Sequence, residues 1–163
     1  MSVQNFSWVI PGKLAGSAVP DFTGLMGLSD ADWFVDQGVD VLVSLAMPYG
    51  PADTECERAG IDWIFYPIPD FDVPSDLESF TALVEDIADA VDDDDGVGVC
   101  VHCQAGIGRT GLLLACVVGR HLGIDGDKAI AAVRKVRPGS LETPDQANFV
   151  RAFLDLANET GGR

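Results

Sequence analysis

The chain predicts an α/β fold, a single-layer, mainly parallel central sheet flanked by helices on either side. Three observations predict it. Short runs rich in β-branched residues alternate with longer stretches of helical period in the N-terminal part. The C-terminal part is helical throughout. An apolar run at 97–101 passes through a glycine-bearing loop into a second apolar segment of helical length at 112–118. That is the strand–loop–helix unit of open α/β sheets, which place their sites at the carboxyl ends of central strands.

Taken in order, residues 6–10 read as a short strand stopped by Pro11-Gly12, with 13–16 placed to pair with it as a hairpin. Residues 19–28 are rich in glycine, proline and small side chains and read as a loop. Ser29 is placed to cap a helix running to Gln37, with Trp33 and Phe34 turned inward and Gly38 as its stop. The β-branched run 39–45 is a buried strand, 47–51 a loop, and 53–59 a short helix ending at Gly60. Residues 61–66 form the next strand, closed by Pro67. Ser75-x-x-Glu78 has the form of a capping box, and Leu77, Phe80, Leu83, Val84, Ile87 and Val91 keep helical period behind it. The acidic run 92–95 is a solvated turn, since no EF-loop spacing follows it. Further helices are expected at 110–122, stopped by Gly123, and at 125–136, with Ile130, Val133 and Val136 on one face. After the break at Arg137-Pro-Gly-Ser140, Glu142-Thr-Pro144 opens the last helix, which carries Phe149, Val150, Phe153 and Leu154.

At 163 residues and 47% apolar composition the chain has material for one domain, residues 1–163. The longest apolar runs fall short of the roughly 18 residues of a membrane span, so no membrane partner is expected. A net charge of -16, with 26 acidic against 10 basic residues, argues against nucleic acid, which needs a basic face. Two histidines and no ligand-spaced cluster point to no metal and no other cofactor. Four cysteines, Cys56, Cys100, Cys103 and Cys116, with no secretory segment, suit a reducing cytoplasm.

The chemistry gathers in residues 102–111, His-Cys-Gln-Ala-Gly-Ile-Gly-Arg-Thr-Gly. A loop that opens a helix offers several unpaired N–H groups to one point, where the helix dipole favours an anion. Gly106 and Gly108 permit the turns that gather those groups around it, with Gln104, Ala105 and Ile107 completing the cradle. Arg109 supplies a planar fork able to hold two phosphate oxygens. A thiol at a helix N-terminus beside a cation reacts as the thiolate, so Cys103 is placed for in-line attack on phosphorus. Thr110 is expected to donate its hydroxyl to the Cys103 sulfur and help it leave a phosphocysteine.

His102-Cys103-x5-Arg109-Thr110-Gly111 resembles the signature of the cysteine-dependent protein tyrosine phosphatases. Residues 5–16 and the stretch from Arg137-Pro-Gly-Ser to Gln146 are similar to the small atypical dual-specificity phosphatases of the VHZ type. The resemblance runs from Gln4 to about Phe153. It implies a protein tyrosine phosphatase-like fold and hydrolysis of phosphotyrosine and phosphoserine/threonine in proteins; the chain itself is expected to be a monomer. The chain departs from it in its acidity, in the run 92–95 and in a longer segment at 19–32.

Protonation of the leaving oxygen needs a carboxylic acid from a second loop. Tyr66-Pro-Ile-Pro-Asp70-Phe-Asp72-Val-Pro-Ser is that loop. The resemblance selects Asp70, with Asp72 as the rival. It also suggests that Gln146 places the water that hydrolyses the phosphocysteine; a plain surface helix residue is the competing reading. His102 is expected to hydrogen-bond around the cysteine backbone and hold the loop, and His121 to face its helix dipole. No lysine enters the cradle to hold a second phosphate, which turns the reading away from phosphoinositides. RNA 5′-triphosphatase activity is the weaker enzymatic alternative, and a phosphopeptide-binding pseudoenzyme would need Cys103, Arg109 or Asp70 altered.

The acid excess is expected to be an adaptation to a salt-rich cytoplasm, where the Debye length falls to about 3 Å at 1 M and self-repulsion is screened. Thermal melts at low and molar salt check this. The melting temperature rises with salt if the reading holds and stays level if it does not.

Overall fold

The computed structural model describes residues 3–25, 27 and 29–160. Met26 and Leu28, which fall in the loop expected at 19–28, lie outside the described residues. The chain begins with a hairpin, β1 (Ser7–Ile10) and β2 (Leu14–Ser17). It continues through α1 (Asp30–Asp36), β3 (Val41–Ser44), α2 (Ala52–Ala59) and β4 (Asp62–Phe65). Then follow α3 (Leu77–Asp92), β5 (Val99–His102), α4 (Gly108–Leu122), α5 (Gly126–Val136) and α6 (Pro144–Thr160).

The five strands form one sheet in the order β1-β2-β5-β3-β4. Among the described residues only the β1–β2 hairpin is antiparallel; the other strand pairings are parallel. The mainly parallel sheet predicted from the sequence is therefore the one observed. Successive side chains along a strand face opposite ways, and here both ways are apolar. Leu14, Val43, Val99 and Val101 point into a core with Phe80, Leu112, Leu113, Val133 and Leu154 from the four later helices. Ala15, Leu42 and Cys100 point into a second core with Phe34, Ala52 and Cys56 from α1 and α2. Burial on both faces is why these strands read as continuous apolar runs rather than alternating ones.

Three local expectations change. The N-cap of α3 is Asp76, whose carboxylate accepts from the Glu78 and Ser79 amides; Ser75 stands one residue too early to reach them. Val136 is 42% exposed, because it closes α5 beyond the stripe of Ala129, Ile130 and Val133 that packs inward. The central strand is 99–102 rather than 97–101, shifted towards the histidine. Gly98, just before it, lies so close to the Gly38 carbonyl that a Cβ there would sit 2.1 Å from that oxygen.

Strand register then positions the site. His102 pairs with Ser17 on one side and Ser44 on the other, so the three inner strands end level. The loop between β5 and α4 leaves the sheet from its middle strand, with β2 and β3 as side walls.

Candidate active site

The loop 103–107 is held from outside through its carbonyl oxygens. His102 Nδ1 bonds the Cys103 oxygen at 3.0 Å, and the Val19 N–H donates to Gln104 at 3.0 Å. Asn5 Nδ2 donates to the Ala105 and Gly106 oxygens at 3.1 and 3.3 Å. Arg137 Nη2 donates to Gly106 at 2.6 Å, and the Leu141 N–H to Ile107 at 3.1 Å. In a trans peptide the carbonyl and the next N–H point in opposite directions. Five carbonyls drawn outward therefore turn the amides of residues 104 to 108 inward, to the start of α4 where the dipole adds positive potential.

Gly106 makes the closest turn. Its φ is +75°, and a Cβ there would stand 2.4 Å from the Ser17 carbonyl oxygen. Gly108 leaves room of another kind, since a Cβ would meet the Glu142 and Gln146 side chains at 2.6 and 3.1 Å. Cys103 lies at the base of the loop and is almost wholly buried. Burial pushes the other thiols up, Cys56 to about 11 and Cys100 to about 12, so they are poor nucleophiles.

Arg109 is in the first turn of α4 and is buried. Its Nη1 donates to the Ile68 carbonyl at 2.8 Å and its Nη2 contacts Asp70 Oδ1 at 3.1 Å. Its Nε is buried without a partner. The arginine of the cradle thus meets the carboxylate of the proline-rich loop, and Asp70 remains 55% exposed at its side chain. Asp72 Oδ1 instead accepts from the neighbouring Val73 N–H. Gln146 is fully buried, which overturns the surface reading. Its Oε1 accepts from the Glu142 and Thr143 amides, and its Nε2 donates to the Asp72 carbonyl at 3.3 Å. It thereby joins the start of α6 to the acid loop beside Gly108.

Thr110 does not make the expected bond to the Cys103 sulfur: its hydroxyl is buried with no partner. A thiol sulfur is a weak acceptor, and threonine in a helix divides between two χ1 wells, only some of which aim the hydroxyl at a given atom. His121 pairs with Asp92 rather than with the helix dipole alone. Sequence reasoning passed over five contributors. Asn5, Val19, Arg137 and Leu141 support the loop from distant segments, and Tyr49, half exposed, accepts from Gln104 Nε2 at 3.0 Å. An arginine directly before Pro-Gly was the available signal in the sequence.

An open, mainly parallel sheet with a Cys-x5-Arg anion cradle at the end of its middle strand and a carboxylate reaching in from a second loop defines a class of phosphate-handling enzyme. Residues 28–122 match the family described as "Polymorphic toxin system, DSP-PTPase phosphatase". The chain belongs to this family of small dual-specificity phosphatases within the protein tyrosine phosphatase superfamily. It is 31% identical over 154 residues to tyrosine-protein phosphatase cdc-14 of Caenorhabditis elegans, covering 90% of this chain. It spans 21% of that relative's length. The crystal structure of Tk-PTP in the active form superposes with a TM-score of 0.75 at 28% identity, covering 96% of this chain and 97% of that one. P. aeruginosa TpbA in complex with pTyr shares the fold, with a TM-score of 0.65 at 20% identity, covering 92% and 88%.

Gly106→Ala tests the loop geometry. The positive φ and the contact with Ser17 are expected to cost about 1–3 kcal/mol of stability, read from the denaturation midpoint. Phosphatase turnover should fall further than stability does.

Proposed function

We propose that the chain is a phosphomonoester hydrolase acting on phosphotyrosine and phosphoserine/threonine in proteins, through a phosphocysteine on Cys103. The observation that carries this reading is the cradle itself, inward amides over a buried cysteine with Arg109 beside them and Asp70 on Arg109.

The incoming phosphate dianion competes with Asp70 for the Arg109 guanidinium, and the fork geometry suits two of its oxygens. The Cys103 sulfur attacks phosphorus in line, the bond from phosphorus to the ester oxygen breaks, and Asp70 gives that oxygen its proton. The inward amides meet the charge on the equatorial oxygens. Water then attacks the phosphocysteine, with Asp70 taking a proton back and Gln146 placing the water. Phosphate leaves and the thiolate returns. Thr110 serves this last departure if its hydroxyl turns to the sulfur as charge develops there.

The setting fits proteins better than nucleic acids. A net charge of -16 works against binding a polyanion. We read it as one catalytic domain over residues 1–163, acting as a monomer in a reducing, salt-rich cytoplasm. The reading needs neither metal nor cofactor.

Hydrolysis of p-nitrophenyl phosphate, with metals chelated, tests it. Wild type should turn over and Cys103→Ser should not. On phenyl phosphate, whose leaving group needs protonation, Asp70→Asn should lose roughly 10²–10⁴ in turnover, while Asp72→Asn stays near wild type. An inactive wild type, or an active Cys103→Ser, would defeat the proposal, and loss confined to Asp72→Asn would move the acid to that residue.

A further inference from the structure

A buried polar chain runs beneath the cradle, across three neighbouring strands of the sheet. Trp63 Nε1–H donates to Ser44 Oγ at 2.8 Å, Ser44 Oγ lies 2.5 Å from His102 Nε2, and His102 Nδ1 lies 3.0 Å from the Cys103 carbonyl oxygen. Ser44 and His102 have no exposed surface. Register sets them side by side on β3 and β5, and Trp63 reaches them from the neighbouring edge strand β4.

The chemistry of the two ends assigns every proton. An indole N–H only donates and a carbonyl oxygen only accepts. His102 is neutral, because burial pushes it down to about 4, so the ring carries one proton. That proton belongs on Nδ1, facing the carbonyl. Nε2 is then an acceptor, the Ser44 hydroxyl its donor, and a lone pair on Ser44 Oγ receives the indole N–H. Moving the histidine proton to Nε2 would set a bare Nδ1 against the carbonyl oxygen, acceptor to acceptor.

We infer that Ser44 and Trp63 are positioning residues which, through His102, aim the first peptide plane of the cradle so that the Gln104 N–H faces the bound anion. The Cys103 oxygen and the Gln104 N–H belong to one trans peptide unit and point opposite ways. Drawing the oxygen to His102 turns that N–H to the same side as the four amides that follow. Val19, Asn5, Arg137 and Leu141 hold the later carbonyls from loops and turns. The first is held from the end of the sheet, by His102. Neither Ser44 nor Trp63 lies in the motif or in the acid loop. The inference deepens the phosphatase reading above and rests on it for its catalytic consequence.

The test compares wild type, Ser44→Ala, Ser44→Thr and Trp63→Phe in three measurements: p-nitrophenyl phosphate kinetics, inhibition by orthovanadate, and nitrogen-15 NMR of the histidine rings. Wild-type His102 should show the Nδ1–H tautomer. Ser44→Ala should lose that single tautomer, with vanadate inhibition weakened on the order of tenfold. Ser44→Thr, which keeps the hydroxyl, should restore both, and Trp63→Phe should fall between. A mere packing role would not move the tautomer or be rescued by threonine. Wild-type vanadate inhibition in Ser44→Ala, or a wild-type His102 protonated on Nε2, overturns the inference. Should Ser44→Ala fail to fold, Trp63→Phe decides, and unchanged inhibition there overturns it equally. A wild type that turns nothing over yet binds vanadate by calorimetry, with that affinity weakened in Ser44→Ala, would sink the phosphatase reading and leave this one standing, because the binding reports on the cradle alone.

Discussion

The structure depends on where five consecutive carbonyl oxygens point. Four are drawn outward by donors from distant segments and the first by the neighbouring His102 ring, and the inward amides follow from the planarity of the peptide bond. Arg137 is the hub of that arrangement. Its guanidinium is buried and donates to the Asn5, Gly16 and Gly106 carbonyls and the Ser7 hydroxyl. Burial alone disfavours its charge. The bonds offset that cost and tie the N-terminal hairpin, the cradle and the turn after α5 into one unit. Gly16 accommodates it, since a Cβ there would stand 2.9 Å from the guanidinium carbon.

Backbone strain is concentrated around the same centre. Among the described residues, the non-glycine positions with positive φ are Asn5, Phe71 and Leu141. Asn5 and Leu141 each donate to a cradle carbonyl, and Phe71 follows Asp70 directly and donates to its carboxylate. Such conformations persist only where surrounding contacts fix them. The packing of two cores against one sheet supplies that rigidity, and the acid loop is latched to it through Arg109 and Gln146.

The motif was legible because its residues are contiguous. A cysteine, two glycines and an arginine at fixed spacing between a strand and a helix state their geometry without help from the rest of the chain. The sheet was legible for the same reason, as doubly buried strands write themselves as apolar runs. What could not be read were relations between distant segments. Nothing in the sequence ties Asn5 to residue 106, or Trp63 through Ser44 to His102, because a hydrogen bond across the fold leaves no local pattern. Gln146 illustrates the limit. Its place near a helix start suited a surface residue as well as a buried one, and only the fold put it between Gly108 and the acid loop. Thr110 shows the converse, since adjacency in the motif suggested a bond to the Cys103 sulfur and its buried hydroxyl stands unpaired.

The most direct measurement of the central claim is a titration of the wild-type chain with inorganic phosphate, followed by amide proton–nitrogen NMR. If five outward carbonyls make an anion cradle, the largest and mutually saturating shifts fall on the amides of residues 104 to 108. Shifts concentrated elsewhere while those amides stay silent would contradict the account.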